Sequence, residues 1–320
     1  MKRLVPTFIG FFLFAFLWIS GCTRNSRKVV FLNSFSAGNP SGDSVAAGIA
    51  AVLDTADGIL LTTRCLNSGK NFSSDEPYKD VIKSIRKLKP AAMIVYGEEA
   101  VKFVVAPHFR NGPFPVVFTG VRWACDPYGL PTNKVTGNLE EPNLRSLFQA
   151  IRQFYPNMHR MTVVSPNTSA ERKNRRYIDA ALLQLGIMAE YQMVNNFIEW
   201  QQAFIRANAE AVVVYLPVAD ALPGWNAEYA RAFVARNIKQ PVITSDFAMM
   251  RFSVFGIAPN NREQGEWAAR TVLAVLSGTP ISRIPIRIDS TAMAYYHPTL
   301  AERIRLKPHA AFLNNVRIVP

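Results

Sequence analysis

The sequence predicts an α/β protein built as two similar, doubly wound parallel-sheet lobes joined by a hinge. Three observations carry that prediction. Short β-branched runs alternate with helical apolar spacing over most of the 320 residues, the pattern of parallel strands linked by crossover helices. The alternation runs once, breaks in the Pro/Gly-rich stretch Asp126–Asn133, and then restarts. Each pass closes on an X-Pro-Val-apolar strand, Phe114-Pro115-Val116-Val117 first and Gln240-Pro241-Val242-Ile243 second.

In the first pass, Val29–Leu32 is a strand and Asn33–Gly38 a loop, and a helix begins at Ser41 and runs through Asp54. Ile59–Thr63 is the second strand. Asp75–Lys89 is a helix with Val81, Ile82, Ile85 and Leu88 on one face, ended by Pro90. Ala92–Tyr96, the helix Glu98–Val105 and the strand Pro115–Thr119 complete the pass. The second pass reads as helix Pro142–Phe154, strand Arg160–Val164, helix Ser169–Leu185 stopped by Gly186, strand Met188–Val194 and helix Glu199–Ala207. Strand Ala211–Leu216, helix Glu228–Arg236 and strand Pro241–Thr244 follow. Phe252–Ala258, the helix Glu263–Leu276 and Ile284–Ile288 read as segments that cross back between the halves. Residues 28–138 with about 252–279 are thereby assigned to the first lobe. Residues 139–251 with about 280–306 go to the second, and 307–320 to a tail.

Ahead of the lobes stands a different kind of segment. Lys2 and Arg3 precede the apolar run Leu4–Ile19, then Ser20-Gly21-Cys22, the layout of a secretory signal over residues 1–21. Ile19-Ser20-Gly21-Cys22 resembles the lipobox of bacterial lipoproteins. That resemblance implies a diacylated Cys22 as mature N-terminus, residues 22–27 as linker and a membrane held by several acyl chains. An uncleaved anchor is the other reading, but the run is shorter than the roughly 20 residues of a spanning helix and contains Pro6.

Composition narrows the partners. A net charge of +13 fits nucleic acid, anionic lipid or an acidic ligand. The basic residues are scattered, though, and the densest group, Arg172, Lys173, Arg175 and Arg176, reads as a solvated helix face. No basic stripe interleaved with aromatics supports nucleic acid as a partner. Beyond Cys22, Cys65 and Cys125 can pair in an oxidising compartment. The histidines at 108, 159, 297 and 309 are isolated, so neither a metal nor a cofactor is expected. The chain lacks Gly-x-Ser-x-Gly, Gly-x-x-x-x-Gly-Lys and His-Glu-x-x-His, and no Gly-x-Gly-x-x-Gly follows the first strand, so no enzyme is expected.

In open parallel sheets, ligands bind beyond the carboxyl ends of the strands. That rule selects Asn33, Ser34 and Phe35, then Tyr96, Gly97 and Glu98, then Thr119 and Gly120 from the first half. From the second it selects Ser165, Pro217, Asp220, Ser245 and Asp246. Hydroxyls and free N–H groups suit a carboxylate, Asp suits an ammonium and the aromatics suit an apolar group, so the set fits a small zwitterion. Each position has a structural alternative. The serines can cap helices, and Glu98 and Asp246 lie in first helical turns, where a carboxylate is favoured anyway. Trp225, after Pro223-Gly224, is a candidate lid or a packed surface aromatic.

Taken in order, Val29–Phe35, Pro115–Val121, Val135–Glu141, Pro241–Asp246 and the helix Gly265–Gly278 resemble the ABC-transporter substrate-binding proteins that include tryptophan- and tyrosine-type binding lipoproteins. The likeness spans nearly all of residues 28–306. It implies a type I periplasmic binding fold, capture of a small solute between closing lobes and delivery to an ABC permease in the membrane. It also implies ligand contacts at Ser34, Thr119-Gly120 and Ser245-Asp246. Asn33-Ser34-Phe35 stands where the family usually has a His-Ser-Tyr-like triplet, which bears on an aromatic amino acid ligand. A receptor of the same fold that signals to a partner without a permease is the other functional reading.

Overall fold

In this computed structural model, residues 26–66, 78–220, 222–289, 291–308, 310–314 and 316–319 are described. The expected signal, Cys22 and the linker as far as residue 25 lie outside them, as does the expected helix start at residues 75–77. Strand β1 (Arg27–Asn33) is buried from Val29 onward, because a parallel strand covered on both faces has no solvent side to alternate toward. It joins β2 (Ile59–Cys65), β3 (Ala92–Tyr96), β4 (Val116–Arg122) and β5 (Val135–Glu140) in a parallel sheet ordered β5-β4-β3-β1-β2. Helices Pro40–Leu53 and Lys79–Leu88 and the helical run 98–108, π-helical over Val101–Val105, make the crossovers. Asn39 caps the first of these by accepting from the Gly42 N–H at 2.8 Å, and Pro40 takes the first helical position.

The second sheet repeats the order. β6 (Arg160–Pro166), β7 (Met188–Val194), β8 (Val214–Tyr215), β9 (Val242–Thr244) and β10 (Phe255–Pro259) run β7-β6-β8-β9-β10, again parallel. Helices Leu144–Phe154, Ser169–Leu183, Phe197–Glu210 and Ala227–Asn237 cover it. Each sheet carries a core on both faces. Val30, Met93 and Val116 belong to one core of the first lobe and Val29, Ile94 and Val117 to the other. Val164 and Val214, then Val163 and Val213, divide in the same way in the second. Trp225 packs partly buried against one of these cores, edge-on to Trp200 and Phe252, and also lines a cavity with Phe35 and Asn39 of the first lobe.

The chain passes between lobes three times, and the passages correct the expected boundaries. Residues 141–143 lead from β5 to helix Leu144–Phe154. Asn260 leads back from β10 to helix Asn261–Leu276, which packs on Pro40–Leu53 in the first lobe. β11 (Arg287–Asp289) then pairs with β5, and β12 (Ala292–Tyr296) runs antiparallel to β10. So Phe255–Pro259, expected in the first lobe, belongs to the second sheet, and Arg287–Asp289 belongs to the first. The passages bond to one another, Glu141 N to Asp289 O at 3.2 Å and Asn260 N to Thr291 O at 3.3 Å.

The tail adds β13 (Arg317–Ile318) beside β12, and Phe312 of helix Ala310–Leu313 sets its ring against Phe154, Phe255 and Tyr296. Cys65 and Cys125 are free thiols, Cys125 donating to the Leu130 carbonyl. Among the described residues, no helix is long and apolar enough to cross a membrane.

Candidate functional site

Between the lobes lies a cavity lined from both sides. Its lining comes from strand ends and first helical turns of both lobes: Phe35, Tyr96, Gly120 and Arg122 on one side, Glu171 and Asp246 on the other. Two glycines make the first-lobe wall possible. Gly97 (φ +95°) and Gly120 (φ +72°) sit in left-handed conformations, and a Cβ would meet Ser34 Oγ at 2.6 Å in the first case and the Tyr96 ring at 2.4 Å in the second.

Arg122 is the electrostatic centre. The register of β4 against β5 shifts between Phe118 and Val121, and the strand carries on to Arg122. Its Nε donates to Glu140 at 3.0 Å and its Nη2 to Asp246 at 2.8 Å, while Nη1 stands 3.7 Å from Glu171. Burial opposes the Arg122 charge, but Glu140, Asp246 and Glu171 outweigh it and hold the guanidinium protonated. Burial raises the carboxyl pKa values of Glu140 and Glu171, with Arg122 pulling the other way. Tyr96 is pushed up by burial and then by Glu140 and Asp246, so its hydroxyl stays neutral. Asp246 also accepts from the Ala248 N–H at 2.8 Å and from Ser41 Oγ at 3.4 Å.

Of the residues selected from sequence, Ser34, Phe35, Tyr96, Gly97, Glu98, Gly120 and Asp246 line this cavity. Asn33 is buried behind it and accepts from the Phe35 N–H at 3.0 Å. Thr119 donates to Gln264 at 3.3 Å and Ser165 to Glu171 at 3.0 Å, placing both beneath the lining. Ser245 pairs with the Tyr215 hydroxyl at 2.7 Å in the core, and Pro217 is buried while Val218 takes the lining position. Asp220 lies in an adjoining cavity that shares Phe35, bonded to Asn39 of the first lobe. Sequence reasoning missed Arg122, Glu140 and Glu171. A lone basic residue just past the apolar β4, and carboxylates at a strand end and a first helical turn, were the available signals.

Further contacts tie the lobes together beyond the cavity lining. The Trp123 ring stacks on Tyr177 at 4.1 Å and 6°, and its Nε1 donates to Asn174 at 2.9 Å. Lys173 reaches across to Glu98, which also accepts from Tyr128, and donates to the Arg122 carbonyl at 2.8 Å. Lys173 therefore leaves the solvated face where the sequence placed it. The described residues contain no group of three or more His, Cys, Asp or Glu placed to hold a metal ion.

Comparison with known proteins bears on this arrangement. The solved structure of a conserved domain protein from Vibrio cholerae superposes with a TM-score of 0.76 at 15% identity, over 92% of this chain and 100% of that one. An ABC domain in complex with L-Trp from Streptococcus pneumoniae gives the same values. A ligand-free, open substrate binding protein with adhesive properties from Clostridium difficile gives 0.64 at 13% identity, over 92% and 99%. An arabinose binding protein from Geobacillus stearothermophilus gives 0.60 at 12% identity, over 87% and 99%. These likenesses establish the type I periplasmic binding fold. No curated protein matches the sequence. The profile described as ABC transporter substrate binding protein matches residues 39–301, most of both lobes. The chain belongs to the ABC transporter substrate binding protein family.

Proposed function

We propose that the protein captures a small amine-bearing solute between its lobes and delivers it to an ABC importer, without covalent chemistry. The observation that carries this reading is the lining of one cavity by strand ends of both lobes, joined at its floor by the Arg122–Asp246 pair at 2.8 Å. A solute there touches both lobes only when they are closed, so binding shifts the population toward closure. Asp246 presents a carboxylate at the cavity, and the faces of Phe35 and Tyr96 accept the rest of the molecule. The L-Trp held by the Streptococcus pneumoniae protein is such a solute, although 15% identity carries the fold and not the ligand.

The test is a thermal-shift screen of the full-length protein in detergent against amino acids, amines, organic acids, nucleosides and sugars. A ligand at 100 times its dissociation constant stabilises the folded state by about 2.7 kcal/mol. Asp246→Ala should weaken the strongest hit at least about tenfold, or 1.4 kcal/mol, while the protein stays folded. Unchanged affinity in calorimetry removes Asp246 from the site.

The protein would work outside the cytoplasm, tethered through Cys22, five residues ahead of β1. Cys22→Ser should abolish palmitate labelling and release the protein from membranes or leave it unprocessed. Normal fractionation with retained label counts against the anchor.

A further inference from the structure

The charge inventory of the cleft is lopsided. Glu98, Glu99, Glu140, Glu171 and Asp246 line the cavity, and Arg122 is the one Lys or Arg among its described lining residues. All three faces of the Arg122 guanidinium are engaged by carboxylates. The nearby Lys173 is committed to Glu98 and to the Arg122 carbonyl. An anionic solute group would find no uncommitted cation there.

Backbone does not replace the missing cation. Helix N-termini attract anions through their unpaired N–H groups, and the helical runs beginning at Pro40, Glu98, Ser169 and Asn261 all start at the cavity, the first and last of them with Asp43 and Glu263 in their own first turns. The run 98–108 begins with Glu98 and Glu99, so its own carboxylates occupy the first turn. Helix Ser169–Leu183 is capped by Thr168, whose side chain accepts the Glu171 N–H at 3.2 Å, and Glu171 sits in its first turn. Beside the cavity, Asp220 adds a further carboxyl group, and its Oδ1 is sealed from solvent with no hydrogen-bond partner among the described residues. The apolar part of the lining includes the rings of Phe35 and Tyr96, with centroids 5.6 Å apart, and aromatic rings attract cations as well as alkyl groups.

We infer that the cleft selects an organic cation, an amine that carries no carboxylate, over the amino acid of the same side group. The inference rests on the reading of this cavity as the solute site and narrows its substrate class. A cation entering here adds a second positive charge to carboxylates that now share one guanidinium. A zwitterion brings its own carboxylate into a field that is already negative.

The experiment is calorimetry of the full-length protein in detergent with three matched sets: tryptamine, L-tryptophan and indole-3-propionate; phenethylamine, L-phenylalanine and 3-phenylpropionate; isoamylamine, L-leucine and 4-methylpentanoate. The expected result is that within a set the amine binds at least about tenfold more tightly than the amino acid, with the acid silent. Asp246→Asn should shrink that gap. An amino acid or acid that binds as tightly as its amine overturns the cation inference and leaves the solute-receptor reading standing. Silence of every compound at millimolar concentration, with a cooperative melt showing folded protein, overturns both.

Discussion

At Asp220, burial and then the neighbouring Asp246 carboxylate disfavour ionisation, so the folded-state pKa rises from 3.8 to about 7. The sign follows from proton linkage. Between these values the folded protein keeps a proton that the unfolded chain releases, so stability is lost as pH rises from about 4 to about 7 and stays lost above. Asn at this position carries no such cost and can still accept from Asn39. Asp220→Asn should therefore stabilise the protein progressively between pH 5 and pH 8, by at least about 1.4 kcal/mol, or about 2–4 °C for a chain this size. A melting-temperature difference between variant and wild type that stays flat with pH would refute the shift. Asp220 was visible in the sequence because it closely follows an apolar run. Arg122 was not, since an apolar strand ending at Thr119 stops three residues short of it. Only the register shift against β5 shows that the strand continues.

Helices Pro40–Leu53 and Asn261–Leu276 cross so closely that side chains are excluded at the contact. A Cβ on Gly265 would stand 2.1 Å from the Val45 carbonyl oxygen, and one on Gly48 2.1 Å from that of Arg262. Glycine to alanine inside a helix ordinarily gains up to about 1 kcal/mol. Here the obstacle is backbone, which can yield only by separating the helices. Gly265→Ala should thus cost about 1–3 kcal/mol in urea unfolding, and equal or greater stability would show that the contact is looser than drawn. The effect would reach the site, since Gln264 bonds Thr119 and Glu140 and Asn261 lines the cavity. Most strands and helices were legible because both sheets are mainly parallel and most of their strands read as apolar runs. β5 was not read as a strand: Thr136, Asn138 and Glu140 are buried polar residues, and Gly137 leaves room for the Phe118 ring. Its polarity serves the site and the neighbouring strand, and no periodicity announces that.

Across the molecule, the repeated strand order was readable as two passes of the same alternation, but the hinge was not. β10 and β11 each lie in the lobe opposite to the expected one, because pairing follows the edges left open by β9 and β5 rather than chain order. The three passages leave the lobes free to rotate about bonded strands, so closure must be held by contacts between the lobes. Trp123, held at φ +69°, supplies one of these in its stack on Tyr177 and its bond to Asn174. An aromatic pair of this kind is worth about 0.5–1.5 kcal/mol beyond its buried area. Trp123→Ala should lower the closed-to-open ratio by the equivalent of roughly threefold to tenfold. Because apparent affinity scales with the closed fraction wherever that fraction is small, the dissociation constant of the screened solute should rise by a similar factor. The rise should come mainly through faster release, since the lobes separate sooner while the ion pairs of Arg122 are intact. Stopped-flow release and calorimetry on the same variant decide the matter. Unchanged release and affinity would mean that the Arg122–Asp246 floor alone holds the lobes together.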